Sequence, residues 1–345
     1  MAELTANRAV AETAAAGSAD LTAELDQYRA ELTGYCYRML GAAFEAEDAV
    51  QETMLRAWRS IGSFEGRSSL RSWLYRIATN VCLSMLGTSQ RRVRPMDLQP
   101  ASSADRPLPQ PLSESLWVEP MPDARVVADG GDPAEVALAR ESVRLAFVAA
   151  LQQLPPKQRA VLILREVLRW HADEVAELLE TSVASVNSAL QRARATLATR
   201  QDADGEPPRP MDDAQRELLS RYVAAFERYD MDALTSLLKT DATWNMPPYD
   251  LWLQTHDDIV AWCLGPGIGC QGSRLIPVMA NGSPAFGQYK PDPAGGLAPW
   301  SVQVLELSGD RISGITFFLD TARYFPMFGL PDHLDAESEH AGQPH

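Results

Sequence analysis

Cysteine is scarce: Cys36, Cys82, Cys263 and Cys270 are scattered over 345 residues. That is too few for a disulfide framework, and a reducing compartment, the cytoplasm, is expected. Long apolar runs are missing as well. No stretch of about 18 apolar residues occurs, so no membrane-spanning helix and no membrane partner are expected. The first residues lack a basic stretch followed by an apolar one, so no secretory leader is expected, and 1–20 read as a frayed Ala-rich tail. Cys263 and Cys270 have no His or further Cys beside them, so they read as buried thiols rather than metal ligands, and neither metal nor cofactor is expected. Basic residues are in deficit, 31 Lys+Arg against 46 Asp+Glu, a net charge of −15. Taken whole, that argues against a nucleic-acid partner.

The deficit is not uniform. Residues 1–94 balance 11 basic against 11 acidic side chains, 95–133 are −5, 134–200 are +2 and 201–345 are −12. Residues 67–94 hold six arginines and no acid, and 181–200 hold three arginines and no acid. Two basic stripes sit in an acidic protein, and local fields decide what a face binds.

The first block reads helical. Leu25, Tyr28, Leu32, Tyr35 and Met39 recur at spacings of three and four over 25–40. Over 45–60, Val50, Met54, Leu55 and Trp58 read as one core-facing row, with Glu45, Glu47 and Asp48 in the first turn, where the helix dipole favours acids. Ser68 and Ser69 can cap a third helix running to about Met85, its apolar row Leu70, Leu74, Ile77, Val81 and Met85. Trp73, Arg76 and Asn80 lie on a different face of it, with Arg71 beside them and Arg91, Arg92 and Arg94 beyond. An aromatic and an amide on a basic surface suit a melted strand. The plainer account is a core Trp and solvated arginines.

Residues 95–133 are rich in Pro, Ser and Asp and read as a linker without regular structure. One apolar knot, Leu116-Trp117-Val118 beside Pro120, is expected to dock. Beyond it, helices are expected at about 133–151 and 156–168, with Pro156 at a first helical position. A short helix, the break Thr181-Ser182 and a second helix over 172–197 match a helix-turn-helix. Ala176, Leu178, Leu179, Val183, Val186 and Leu190 would pack the two together. Ser185, Asn187, Ser188, Gln191, Arg192 and Arg194 would face outward, types that suit base edges and phosphates in a major groove. An ordinary helical hairpin with a polar face is the alternative.

The last block changes character. Helices at 212–228 and 231–238 are followed by strand-like runs at 242–246, 274–280, 284–290, 300–307 and 311–319, mostly antiparallel, hence α+β.

Two long segments also resemble a known family. AEDAVQETMLRAWRSIGSFEGRSSLRSWLYRIATNVCLSML is similar to region 2 of sigma-70-type factors of the extracytoplasmic-function (ECF) group. LPPKQRAVLILREVLRWHADEVAELLETSVASVNSALQRARATL is similar to their region 4, and 211–330 resemble a SnoaL-like (NTF2-like) domain. The resemblance implies a multidomain chain: two all-α units, a region 2 bundle and a region 4 helix-turn-helix, plus an α+β NTF2-like cone. The expected boundaries are 21–94 for region 2, 95–133 for the linker, 134–200 for region 4, 201–210 for a second linker, 211–330 for the cone and 331–345 for a tail.

The resemblance also implies partners and residue roles. The partners are core RNA polymerase, through its β′ clamp and β flap, and promoter DNA. Asp48, Gln51, Glu52 and Arg56 match the polymerase-binding positions. Arg71, Trp73, Arg76, Asn80, Arg91 and Arg92 fall where the −10 element is melted and read, and Ser185 to Arg194 where the −35 element is read. LWVEPMPD is similar to a linker patch of the subgroup with a fused SnoaL-like domain, which makes Trp117, Pro120, Pro122 and Asp123 interdomain contacts. Glu180 stands where many helix-turn-helix sequences have Gly, and Asn187 and Ala189 where many relatives are basic.

A cone of this kind can hold a small ligand. Tyr222, Trp244, Asp250, His256 and Asp320 are its candidate polar lining, and a carboxylate or imidazole there could act as a base. No His/Asp pair has defensible spacing, so no catalytic residue is expected. The chain reads as a sigma factor regulated in cis by its acidic C-terminal domain. The rivals are a ligand-sensing DNA-binding regulator independent of polymerase and an NTF2-like cyclase or isomerase.

Overall fold

The computed structural model describes residues 24–64, 66, 68–87, 91–127, 133–198 and 211–335; the expected tail at 1–20 and the linker at 201–210 lie outside them. Three helices, α1 (Arg29–Leu40), α2 (Ala43–Ser60) and α3 (Leu70–Leu86), form the first unit. Gly41 ends α1 in a left-handed conformation (φ +72°), which lets the chain reverse at once into α2. Ser69 caps α3, its Oγ accepting the Ser72 N–H at 3.1 Å. Leu32, Tyr35, Met39, Val50, Leu74 and Val81 are buried, as the three-and-four spacing predicts.

Leu55 and Trp58 are not part of that core: they are 42% and 55% exposed. The buried row of α2 is Ala46, Ala49, Val50, Thr53 and Ala57, mostly small side chains that let its neighbours approach closely. Leu55 and Trp58 fall off that row.

The second unit comprises α4 (Pro133–Glu141), α5 (Leu145–Leu151), α6 (Pro156–Leu162), α7 (Ala172–Leu178) and α8 (Val183–Ala198), with a π-helical turn, Ile163–Val167, extending α6. The single helix expected at 133–151 is broken at 142–144. There the Ser142 hydroxyl donates to the Ala139 carbonyl at 2.8 Å and accepts from Arg38, a local side-chain bond that competes with helix continuation. Pro156 opens α6 as expected. Glu180 adopts φ +51°, the left-handed backbone that the α7–α8 turn requires. Val183, expected between α7 and α8, is 42% exposed, because packing begins one turn later, at Val186.

The third unit holds α9 (Asp213–Arg228), α10 (Met231–Ser236), β1 (Leu238–Asn245), β2 (Trp252–Leu253), α11 (His256–Leu264), β3 (Arg274–Ala280), β4 (Ser283–Pro291), β5 (Leu297–Ser308), β6 (Arg311–Phe318) and α12 (Thr321–Met327). The sheet order is β2-β1-β6-β5-β4-β3, antiparallel except for the parallel β1–β6 pair. The periodicity missed β2 and α11; α11 begins at a Thr255 cap, whose Oγ accepts the Asp258 N–H at 3.0 Å. One face of the sheet, with Trp244, Phe286, Leu305 and Phe317, is covered by α9–α11 through Tyr222, Phe226, Leu234 and Ile259, which gives the expected α+β cone.

The other face of the sheet is not solvated. Ala285, Val302, Val304 and Phe318 belong to the same hydrophobic cluster as Tyr35 and Leu74 of the first unit, Leu164 and Leu190 of the second, and Val118 and Met121 of the linker. The described residues of the linker form nothing longer than 3-10 turns, yet all of 117–123 is buried. The linker, expected to lack regular structure, is therefore a structural seam at 117–123. No helix among the described residues is long and apolar enough to cross a membrane.

Candidate nucleic-acid interface

On α8 the outward face is open. Ser185, Asn187, Ser188, Gln191, Arg192 and Arg194 are all exposed, while Val186, Leu190 and Ala193 hold the helix to its unit. Ser182 caps the helix, its Oγ accepting the Ser185 N–H at 3.1 Å. Arg194 bonds Glu166 at 2.5 Å, an exposed pair that competes weakly for its guanidinium.

On α3 the basic face is occupied. Arg71 bonds the Glu31 carboxylate, and its guanidinium carbon lies 5.3 Å from the Tyr75 ring and 5.2 Å from the ring of Trp170, which comes from the second unit. Trp170 also lies 5.0 Å from Tyr75. Arg76 pairs with Glu177 of α7 at 3.5 Å. Trp73 packs on Phe64 at 5.1 Å. Asn80 and Arg91 are exposed.

Arg92 lies elsewhere than the DNA-facing position expected for it. It is 4% exposed and donates to the Trp117 carbonyl at 2.8 Å and to Glu45 at 2.6 Å. Arg92 is a joint between the first unit and the linker, and a guanidinium so enclosed does not reach a phosphate. Sequence reasoning missed Trp170 and Glu177, the groups that lie on α3, because nothing in the α3 pattern names its neighbours.

Asp48, Gln51 and Arg56 are exposed on α2 and Glu52 is half-buried, with Arg56 and Glu52 paired at 2.6 Å. Beside them, Leu25, Asp26, Arg29, Gln51, Met54, Leu55 and Trp58 line an open groove of about 240 Å³. An exposed Trp and Leu beside a row of charged side chains form an apolar anchor with a polar rim, the composition of a protein-binding surface.

The linker patch is held from all sides. Trp117 is 3% exposed and bridges to Val93. The Glu119 carboxylate accepts the Ala43 N–H at 2.9 Å and so caps α2, which has no side-chain cap of its own. It also faces Arg92 and Arg323, each at 3.8 Å. Burial pushes the Glu119 and Asp123 carboxyls above their ordinary range. Pro120 and Pro122 are buried, and Pro122 bridges to Ala280 of β3. Farther back, the linker is strapped along the cone: Ser102 N–H donates to the Trp252 carbonyl at 2.7 Å, and Arg106 reaches Asp250 at 3.3 Å.

The two helical units also grip each other directly. Arg159 of α6 donates to the Met39 carbonyl at the end of α1, and Arg38 donates to the Ser142 hydroxyl at 2.6 Å. Burial pushes both guanidinium groups down to about 10.

The five candidate pocket residues are committed to separate neighbours. Tyr222 donates to Gln303 at 2.6 Å inside the cone, Trp244 packs on Phe317 at 4.6 Å, and Asp250 holds the linker's Arg106. His256 bonds the Lys239 carbonyl at 2.9 Å, and Asp320 lies 3.6 Å from Arg323. Gln303, Gln288, Ser301 and Ser273 continue the Tyr222 bond as a buried, mutually satisfied chain. The groove on α2 is lined by none of these residues. No cluster of His, Cys, Asp and Glu suited to a metal occurs among the described residues.

Comparison with known proteins follows the same division. The Sigma-70 region 2 family matches residues 25–92, and the Sigma-70, region 4 family matches residues 144–197. ECF RNA polymerase sigma factor SigG of Mycobacterium tuberculosis (strain H37Rv) is 47% identical over 322 residues, 91% of this chain and 85% of the relative. SigJ of the same strain is 30% identical over 223 residues, 64% of this chain and 63% of SigJ. A crystal structure of M. tuberculosis SigJ superposes with a TM-score of 0.57 at 23% identity, covering 90% of this chain and 99% of that one, a likeness of fold across helical units and cone alike. With identity this high over nearly its whole length, the chain belongs to the ECF RNA polymerase sigma factors.

Proposed function

We propose that this protein joins core RNA polymerase and directs it to promoters, reading the −35 element with α8 and opening the −10 element on α3. The observation that carries this reading is the 47% identity to a curated sigma factor over 91% of this chain, which reaches both helical units and the cone. Asp48, Gln51, Glu52 and Arg56, with Leu55 and Trp58 beside them, form the polymerase contact, at the β′ clamp; region 4 meets the β flap. Ser185, Asn187, Ser188, Gln191, Arg192 and Arg194 read duplex DNA. Arg71, Trp73, Arg76 and Asn80 hold the melted strand, and Arg91 follows the backbone. The regions divide at 21–94, 134–200 and 211–330.

The cone regulates the sigma units by contact, through Trp117, Pro120, Pro122 and Asp123, rather than by catalysis. Its polar interior is internally bonded, and its other face is packed against the helices. The test is run-off transcription with purified core polymerase over a promoter library. Discrete transcripts that depend on this protein are expected. Failure to co-purify with core enzyme and to start any transcript overturns the reading.

A further inference from the structure

The turn between β3 and β4 consists of two residues, Asn281 and Gly282, closed by the Ala280–Ser283 pair. Both have positive φ, +55° and +65°, the backbone of a type I′ hairpin that Asn-Gly favours. Such turns normally stand at the surface. This one is buried, with Asn281 0% exposed, and its polar atoms reach three other parts of the chain.

The Asn281 Nδ2 donates to the Tyr37 hydroxyl of α1 at 2.6 Å and to the Val143 carbonyl, between α4 and α5, at 2.8 Å. Its Oδ1 accepts the Met121 N–H of the linker at 2.9 Å, and its own N–H returns a bond to the Met121 carbonyl at 2.9 Å. Tyr37 in turn donates to the Glu119 carbonyl at 2.7 Å. The Gly282 N–H donates to Asp123 at 2.7 Å. A Cβ on Gly282 would lie 2.3 Å from the Arg140 carbonyl at the end of α4. One turn of the cone therefore touches the first helical unit, the linker and the second helical unit together.

We infer that the Asn281-Gly282 turn is a polar latch that holds the two DNA-reading units in their closed arrangement, with α3 lying against Trp170 and Glu177. The inference rests on the sigma-factor reading and adds to it the site of cis regulation. A strand can lie along Arg71, Trp73 and Arg76 only when the second unit has moved off α3. That movement separates Tyr37 from Val143, and Asn281 cannot follow both. A latch of hydrogen bonds suits a reversible step. The bonds exchange for water at small net cost when the units part, whereas leaving one partner buried and unsatisfied is costly.

The test uses the full-length protein with a donor and an acceptor dye at exposed Arg59 of α2 and exposed Ala195 of α8. Asn281→Ala leaves the Val143 carbonyl and the Met121 N–H without their partner. Asn281→Asp keeps the Met121 acceptor and sets a carboxylate against the Val143 carbonyl. Each is expected to raise the separated fraction at least about tenfold, the change in equilibrium that one unsatisfied buried group brings. Tyr37→Phe removes a single bond and is expected to give a smaller rise in the same direction, with unchanged far-ultraviolet circular dichroism. Faster association with core polymerase is expected in the same order.

Unchanged energy transfer in folded Asn281→Ala and Asn281→Asp overturns the latch. Should both of those fail to fold, unchanged transfer in Tyr37→Phe overturns it. The dye readout needs no polymerase, so separation without any promoter-directed transcript sinks the sigma-factor reading and leaves the latch standing.

Discussion

The helices α3 and α8 both carry arginines and amides on one face, yet the molecule treats them oppositely. The six polar side chains of α8 stand in solvent. The arginines of α3 are taken up by Glu31, Trp170 and Glu177, and two of those three come from the unit that carries α8. The unit with the open polar face thus covers the basic face of the other. A polar stripe in sequence identifies a surface able to bind, and the fold decides when that surface is free.

The largest expected effect comes from removing the cover. Trp170→Ala deletes a ring 5% exposed and packed on Tyr75 and Arg71, and should cost about 3–5 kcal/mol in urea unfolding. A loss under about 1 kcal/mol would mean that the ring lies loosely on α3 and that the two faces are less unequal than they look.

Next in size is a surface outside the closed contact. Asp48→Lys with Glu52→Lys reverses two charges on α2 and should weaken core-polymerase binding by about 2–3 kcal/mol in a competition assay, since like charges facing a partner cost that much. The unfolding midpoint should not move, because Asp48 is exposed and Glu52 has only an exposed-side ion pair. Smaller again are single changes on α8. Arg192→Ala or Gln191→Ala should lose about 1–3 kcal/mol of discrimination between promoter variants in a binding titration, with stability untouched. Asn80→Ala, on the exposed end of α3, should instead spare core binding and slow strand opening, seen as weaker permanganate reactivity of the melted region. Uniform loss across all promoter sequences for the α8 variants would mean that they touch phosphate rather than bases.

Much of this was legible from periodicity and punctuation. The Ser69 cap, Pro156 at the start of α6, the two-helix motif ending in α8 and the bounds of β3 at Arg274–Ala280 all follow from local residue types. Local signals failed where a long-range contact decided the outcome. Leu55 and Trp58 read as core because large apolar residues usually are, but alanines carry the packing of α2. Arg92 read as a DNA contact because it sits in a run of arginines, but Glu45 and the Trp117 carbonyl enclose it. The break at Ser142 depends on a hydroxyl shared with Arg38, more than a hundred positions away. Asn281-Gly282 announces its turn type, while nothing beside it in sequence announces that the turn is buried.

The smallest expected effect tests the seam that carries the closed arrangement. Burial raises the Glu119 pKa, opposed by Arg92, Arg323 and the N–H groups of Ala43 and Phe44. The folded state therefore holds this proton more tightly than the unfolded state does. The contribution to stability is full below the ordinary carboxylate range and is lost as pH rises through the raised value. Asp123, raised by burial against the Gly282 N–H and Arg140, acts in the same sense. In Glu119→Gln the titration disappears while an acceptor remains to cap α2. The thermal midpoint of the variant should then fall less than that of the parent between mildly acidic and neutral pH, the residual slope belonging to Asp123 and the other groups. A steeper fall would mean that the arginines outweigh burial at this carboxylate, so that its charge fastens the seam instead of straining it.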